Sequence, residues 1–211
     1  MEEKLKKVPK LRFKDENGED FPAWEWSCFG NVFEFMDYGM NAASKVFDGM
    51  NIYLRITDIN EESHRFLDIE KVSPSGTLQN KYLLTEQDIV FARTGASTGK
   101  TYLYRREDGV MYFAGYLIRG RVKASFNTKF IFLQSLRPKY YKWVSIMSIR
   151  SGQPGINMHE YQKYKFMLPT LPEQTRIADF FTKLDEQIEV EKAILEKWKL
   201  LKKGFLQQMF I

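Results

Sequence analysis

The residues of this chain that come nearest to a chemical signature are Gly95-Ala96-Ser97-Thr98-Gly99-Lys100-Thr101, a glycine loop entered from an apolar strand and closed by Gly-Lys-Thr. A phosphate-binding loop of the nucleotide-hydrolysing kind places four residues between its glycines, so that successive amides wrap a phosphate, and a helix follows its lysine. Here three residues intervene and a β-like segment follows. The loop is therefore expected to offer hydroxyls, amides and a cation to an external phosphate rather than to hydrolyse a nucleotide. Other catalytic patterns fail on residue type. A methyltransferase would need a Pro-Pro-Tyr loop and a glycine-rich cofactor turn, and neither occurs; a metal-dependent nuclease would need an acidic-x-Lys pair, and the sequence has one, at Glu2 and Lys4 in the tail. His64 and His159 have no evident Ser or Cys nucleophile and read as surface or structural groups. The single cysteine, Cys28, forms no intramolecular disulfide, and no His/Cys spacing matches a zinc site. The sequence predicts neither catalysis nor a cofactor or metal of its own.

Charge points to a different chemistry. The chain carries a net charge of +5, but the first 92 residues are acidic on balance, whereas residues 93–150 hold twelve Lys and Arg against only Glu107 and Asp108. Tyr102, Tyr104, Tyr112, Tyr116, Tyr140, Tyr141 and Trp143 interleave with these cations. Planar groups beside phosphate-seeking ones suit a nucleic-acid surface, the alternative being a solvated basic face. The candidate DNA contacts are Arg93, Thr94, Lys100, Tyr102, Arg105, Arg106, Arg119 and Arg121; on an extended segment Leu117, Arg119 and Arg121 share one face, so two cations are expected to project together.

Elements must hold these groups in place. Ile52–Ile59, Ile89–Arg93, Tyr102–Arg105, Tyr112–Val122 and Tyr164–Leu168 read as strands, with Glu107-Asp108-Gly109 as a hairpin turn before Tyr112. Asn127–Ile149 has helical spacing interrupted at Pro138, and Ser151-Gly152-Gln153-Pro154-Gly155-Ile156-Asn157 is a tight loop. Phe29–Tyr38 reads as a short helix or strand, and Trp24 and Trp26 pin an extended lead-in. The fold class is α+β: a mainly β domain, residues 1–171, followed by one long helix, residues 172–211. Glu173 to Met209 contains no proline, and Ile177, Phe181, Leu184, Ile188, Leu195, Trp198, Phe205 and Met209 recur in a 4-3-4 rhythm with Glu191 and Lys202 filling the gaps. That is a coiled-coil seam with two polar interruptions. Thr170 and Glu173 have capping-box spacing, and about 37 residues extend roughly 55 Å. No equally long helix is available in the chain, so the partner is expected on a second chain or on a further part of a longer protein. The charged N-terminus lacks the apolar core of a signal peptide, and no apolar run approaches membrane-spanning length, which leads us to expect a soluble cytoplasmic protein.

Several stretches together resemble the DNA specificity subunits of type I restriction-modification systems: Val8-Pro9-Lys10-Leu11-Arg12-Phe13, the run Asp88–Lys100, Ser151–Asn157, and above all Leu168-Pro169-Thr170-Leu171-Pro172-Glu173-Gln174-Thr175-Arg176-Ile177-Ala178, with Leu184-Asp185 and Leu206–Phe210 beyond. The resemblance implies a target recognition domain that reads a few base pairs in the major groove of double-stranded DNA, a spacer helix, and docking of methyltransferase and restriction subunits. S-adenosylmethionine and ATP would bind those partners, not this chain. Members of the family normally hold two such domains and two antiparallel helices, whereas one of each occurs here. Either the chain is a half subunit that forms a homodimer through its helix, or it is a fragment of a longer one. An adaptor that oligomerises without binding DNA is the alternative reading.

Overall fold

The computed structural model describes residues 8–210; the Glu2-x-Lys4 pair and the start of the N-terminal segment lie outside them. In chain order the elements are β1 (Glu25–Cys28), α1 (Phe29–Val32), β2 (Phe33–Tyr38), β3 (Ser44–Val46), β4 (Asn51–Leu54), β5 (Val72–Pro74), β6 (Asp88–Ala92), β7 (Thr101–Leu103), β8 (Val110–Phe113), β9 (Leu117–Val122), α2 (Thr128–Gln134), α3 (Pro138–Met147), α4 (Met158–Gln162), β10 (Lys165–Leu168) and α5 (Leu171–Met209). The architecture is α+β, a β-rich domain followed by a long helix. A four-stranded antiparallel sheet runs β2-β9-β6-β7, and three two-stranded pairings, β1-β10, β3-β5 and the parallel β4-β8, surround it.

Strand β6 is buried along its whole length because both its faces are covered. Its side chains alternate: Ile89 and Phe91 enter an aromatic cluster with Phe29, Phe33, Tyr140, Tyr161, Tyr164 and Phe166, whereas Val90 and Ala92 enter a second cluster with Leu54, Tyr102, Met111 and Phe113. The first cluster is knit by tilted and edge-on ring pairs, such as Phe29–Tyr164 at 5.0 Å and Tyr140–Tyr164 at 5.2 Å, the geometry that ring quadrupoles favour.

Two of the expected strands and the expected hairpin differ from the fold. Ile52–Ile59 ends as a strand at Leu54, because the Arg55 and Asp58 side chains clasp each other at 2.7 Å and wind Ile56–Asp58 into a single tight turn. Tyr112–Val122 breaks at Ala114–Tyr116 into β8 and β9, which belong to different sheets. The turn through Glu107-Asp108-Gly109 is accordingly no hairpin: β7 pairs antiparallel with β6, and β8 pairs parallel with β4. Phe29–Tyr38 is both helix and strand, and Pro138 does divide Asn127–Ile149, by starting α3.

Helix α5 follows Pro169 and Thr170 without the predicted capping box; the Thr170 side chain makes no cap hydrogen bond. Glu173 is instead fully buried and receives Nε and Nη2 of Arg12, each at 2.8 Å. Gln174 beside it donates to the Pro169 carbonyl at 2.8 Å and accepts from the Asn127 amide at 3.0 Å. The first turns of α5 lie on the domain, with Ala178 buried, Ile177 half-buried against the aromatic cluster and Lys129 paired to Asp185. Ile177 is thus an intrachain contact rather than a free seam position. From Glu186 to Met209 every residue except Gly204 is exposed, including Ile188, Leu195, Trp198, Phe205 and Met209. Those last 24 positions extend about 36 Å. Among the described residues no helix is long and apolar enough to cross a membrane.

The sheet also contains a buried ionic network. Asp88 has no solvent exposure; its two oxygens receive Nε and Nη2 of Arg121 at 2.8 Å each, and it also accepts the Thr85 amide at 2.8 Å. The register places Asp88 opposite Arg121 and Asp37 opposite Arg119, so these contacts follow from strand pairing. Asp88→Asn, which keeps the shape and removes the charge, is expected to cost about 3 kcal/mol in urea unfolding because it leaves a guanidinium without its counter-charge; a loss below about 1 kcal/mol would show that the pair does not hold the sheet.

Candidate functional site

At the end of the central sheet where β2 finishes and β9 begins, five segments meet: Gly39–Ser44, the Arg55–Thr57 turn, the Ala114–Tyr116 corner, and the loops that follow β6 and α3. Each is held by backbone hydrogen bonds. The Arg93 amide donates to the Tyr116 carbonyl at 3.1 Å, Ile156 to Arg93 at 2.9 Å, Gly95 to Pro154 at 2.9 Å and Met40 to Phe113 at 2.8 Å. Two buried tyrosines brace the glycine loop from beneath, Tyr161 donating to the Ala92 carbonyl at 2.7 Å and Tyr140 to Gly99 at 3.0 Å. Burial raises the pKa of both hydroxyls, so they stay protonated as donors.

Two glycines make this convergence possible. Gly99 has φ +91°, and a Cβ there would lie 2.5 Å from Val144. A Cβ at Gly39 would lie 2.1 Å from the Ala114 carbonyl oxygen. The glycine loop is therefore a packing device. Its amides at Gly95, Thr98, Gly99 and Lys100 all donate to carbonyls within the protein, and the Lys100 ammonium donates to the Ile59 carbonyl at 3.1 Å. A nucleotide phosphate would find no nest of outward amides at those four positions.

Four of these segments line an open cleft of about 630 Å³ that includes Tyr38, Asn41, Arg55, Thr57, Arg93 and Tyr116, with Tyr53 at its base, while the loop after α3 supports the Arg93 loop from behind through Ile156 and Pro154. Tyr53 donates to the Met40 carbonyl at 2.6 Å and so fixes the Gly39–Ser44 wall. The Arg93 guanidinium lies over the Tyr38 ring, 4.7 Å from its centroid. Arg55 is tied to Asp58, whereas Arg93 has no carboxylate within ion-pair distance among the described residues.

The structure separates the candidate contacts. Arg93 lines the cleft and Thr94 stands next to it, bridged to Gly155. Arg105 is bound to Asp108 at 2.8 Å and to Glu107 at 3.1 Å, and Arg106 is exposed on that turn. Tyr102 is buried, donating to Asp108 at 2.7 Å, so it presents no ring to a ligand. Arg119 and Arg121 do share a face, but the expected projection is corrected: Arg119 is 3% exposed, bonded to Asp37 at 2.7 Å and to the Leu83 and Lys81 carbonyls, and Arg121 is bound to Asp88. Sequence reasoning missed Tyr38, Asn41, Arg55 and Thr57. They lie in the acidic first half of the chain, where a count of charges has no signal, and only the fold brings them to Arg93. Among the described residues no cluster of His, Cys, Asp and Glu is arranged to hold a metal ion.

His64 is structural. It is buried at φ 54°, its Nδ1 donates to the Thr101 carbonyl at 2.8 Å, and its Nε2 accepts from the Tyr141 hydroxyl at 2.9 Å. Burial lowers its pKa below the usual 6.5, with Lys100 adding to the effect and the Thr101 carbonyl opposing it. The unfolded chain therefore binds this proton more readily than the folded one. The neutral ring's contribution is intact above pH 6.5 and declines as pH falls toward the lower folded pKa. His64→Asn, which tolerates a positive φ, is expected to melt with a smaller loss of Tm than the wild type between pH 7.5 and pH 5; parallel Tm–pH curves would contradict a buried neutral imidazole.

Comparison with known proteins agrees with this architecture. A family model described as type I restriction modification DNA specificity domain matches residues 23–199. Among solved structures, one from work on complex assembly and conformational transition of the type I R-M system superposes with a TM-score of 0.58 at 18% identity, over 93% of this chain and 46% of that one. The HsdS subunit from Thermoanaerobacter tengcongensis gives 0.55 at 19% identity, over 92% and 47%. The type I restriction-modification S subunit from M. genitalium gives 0.59 at 14% identity, over 89% and 46%. The chain spans slightly under half the length of each of these structures.

Proposed function

Because this chain belongs to the family of type I restriction modification DNA specificity domains, as the match over residues 23–199 shows, we propose that it reads one half of a bipartite DNA target and docks methyltransferase and restriction subunits through its helix. Membership makes the chain a recognition unit and not a catalyst. Methyl transfer and cleavage belong to the partners, which bind S-adenosylmethionine and ATP, and the complex works in the cytoplasm. Residues up to 171 form the reading unit, and the helix from 172 forms the spacer.

The observation that carries DNA reading is the solvent-open cleft. It sets aromatic rings, amide and hydroxyl groups and an uncompensated guanidinium on a scaffold fixed by backbone hydrogen bonds. Base edges offer the donors, acceptors and methyl groups that such a set can recognise. Thr94, beside Arg93, is the phosphate contact at the cleft, of the kind that positions the domain without choosing a sequence. Lys100 is held by the Ile59 carbonyl, and Arg105 and Arg106 follow β7 at the end of the sheet where β6 begins, away from the cleft.

The exposed seam supports pairing of two copies. Leu195, Trp198, Phe205 and Met209 stand in water although a long helix gains its stability mainly by burying such a face. Charge gives the direction. Asp179, Asp185, Glu186, Glu189, Glu191 and Glu196 outnumber Arg176, Lys183 and Lys192 in the body of α5, whereas Lys197, Lys199, Lys202 and Lys203 occupy its end without an acid. An antiparallel pair lays the basic end of each helix on the acidic body of the other, and a parallel pair would set like charges together. Two cleft-bearing domains then sit at opposite ends of a two-fold axis and select a split, palindromic site.

Sedimentation equilibrium tests the pairing. The wild type is expected to be a dimer at micromolar concentration, Leu195→Glu a monomer with an unchanged near-ultraviolet spectrum, and selection from a randomised duplex pool is expected to return two inverted half-sites for the dimer alone. A wild-type monomer that binds DNA only when a second specificity half is supplied would remove the symmetric reading. A dimer that selects no sequence would leave an adaptor.

A further inference from the structure

We infer that Arg93 is a specificity-determining residue that reads the O6 and N7 edge of one guanine in each half-site, an inference that rests on the proposal that the cleft reads DNA.

Arg93 differs from most other arginines of the chain in what surrounds it. Arg12, Arg55, Arg105, Arg119, Arg121 and Arg150 each bind a carboxylate within the protein. The guanidinium of Arg93 has none among the described residues, lies on the Tyr38 ring at 4.7 Å, and keeps its Nε buried with no hydrogen-bond partner. Its backbone is fixed on both sides, the amide donating to Tyr116 at 3.1 Å and the carbonyl accepting from Ile156 at 2.9 Å. Tyr38 is fixed in turn, because its hydroxyl accepts the Met158 amide at 3.2 Å. The planar fork is therefore held at one angle, with its buried Nε turned inward and its terminal nitrogens left for the cleft.

A fork fixed in plane and angle suits a partner that is itself planar and fixed. The guanine major-groove edge is such a partner, presenting two acceptors in one plane that a guanidinium engages bidentately. Asn41 and Thr57 on the neighbouring walls can meet an adjacent base edge. A guanidinium fork also engages a phosphate bidentately, but a phosphate contact carries no base preference and adds to the salt dependence, so the two roles part in the measurements below. Bidentate contact of this kind favours guanine over another base by about ten- to a hundredfold.

The test uses the full-length chain, alone and with the methyltransferase subunit of its system, on randomised duplex pools. Wild type is expected to select a half-site containing an obligatory G·C pair. Arg93→Gln is expected to lose that preference by about ten- to a hundredfold at the one position, with a shift toward adenine, while the slope of log affinity against log salt stays that of the wild type. A variant that keeps the wild-type motif but whose slope falls by about one is making a phosphate contact, and the inference is overturned. Since Arg93 is partly buried, a second measurement leaves the protein intact: replacing the selected guanine by 7-deazaguanine, which lacks N7, is expected to weaken wild-type binding by about tenfold at that position and at no other guanine of the half-site. Equal affinity for the modified duplex, or a half-site without any G·C pair, also overturns it. A wild-type protein that selects no sequence at all refutes the cleft reading itself, a result distinct from a motif that is selected but indifferent to Arg93.

Discussion

The arrangement of this molecule depends on a buried carboxylate and a buried amide at the foot of one helix. Glu173 and Gln174 enter the domain at the first turn of α5, where an unpaired charge or amide would cost several kcal/mol. Each is fully satisfied, Glu173 by Arg12 and Gln174 by the Pro169 carbonyl and the Asn127 amide. Asn127 in turn caps α2 by accepting the Phe130 amide at 3.0 Å. Three parts of the chain far apart in sequence thus converge on two adjacent side chains. The helix leaves the domain in one direction, and Lys129–Asp185 and Arg65–Glu189 continue the attachment along its flank.

That fixed direction gives the exposed part of α5 its meaning. A helix joined by a flexible linker could fold its apolar seam back onto the domain. One anchored by its first turns, with packing that ends near Glu189, cannot. The domain is equally rigid at the end of its central sheet. Strand β6 has its alternate side chains buried in two separate cores, and the loop leaving it is braced by Tyr140 and Tyr161. A surface on such a support loses little conformational entropy on binding any ligand.

The buried arginines show how a basic segment can mislead. Residues 93–150 are strongly cationic in sequence, yet Arg119 and Arg121 neutralise Asp37 and Asp88, which lie outside that segment, and Arg105 neutralises Asp108 within it. Cross-strand pairing brought the first two pairs together, and a linear charge count does not register it. The cation left uncompensated in the cleft is Arg93, and its neighbours Tyr38, Asn41, Arg55 and Thr57 come from the acidic part of the chain.

The sequence by itself determined whatever depends on neighbours along the chain. The period of Ile177 to Met209 dictated a long amphipathic helix. Pro138 divided α2 from α3, the apolar run Ile89–Ala92 marked the central strand, and the spacing of Gly95 and Gly99 ruled against a nucleotide loop. The motifs around Pro172-Glu173-Gln174 resembled the family to which the chain belongs. Tertiary structure alone decided what depends on residues distant in sequence: that Glu173 answers Arg12 rather than capping its own helix, that Tyr112–Val122 is two strands in two sheets, that Arg119 and Tyr102 are interior, and that Arg93 shares a cleft with Tyr38. Periodicity records which face of an element is apolar. It carries no information about which other element covers that face, because hydrogen-bond register and charge pairing between strands are fixed only when the chain closes on itself.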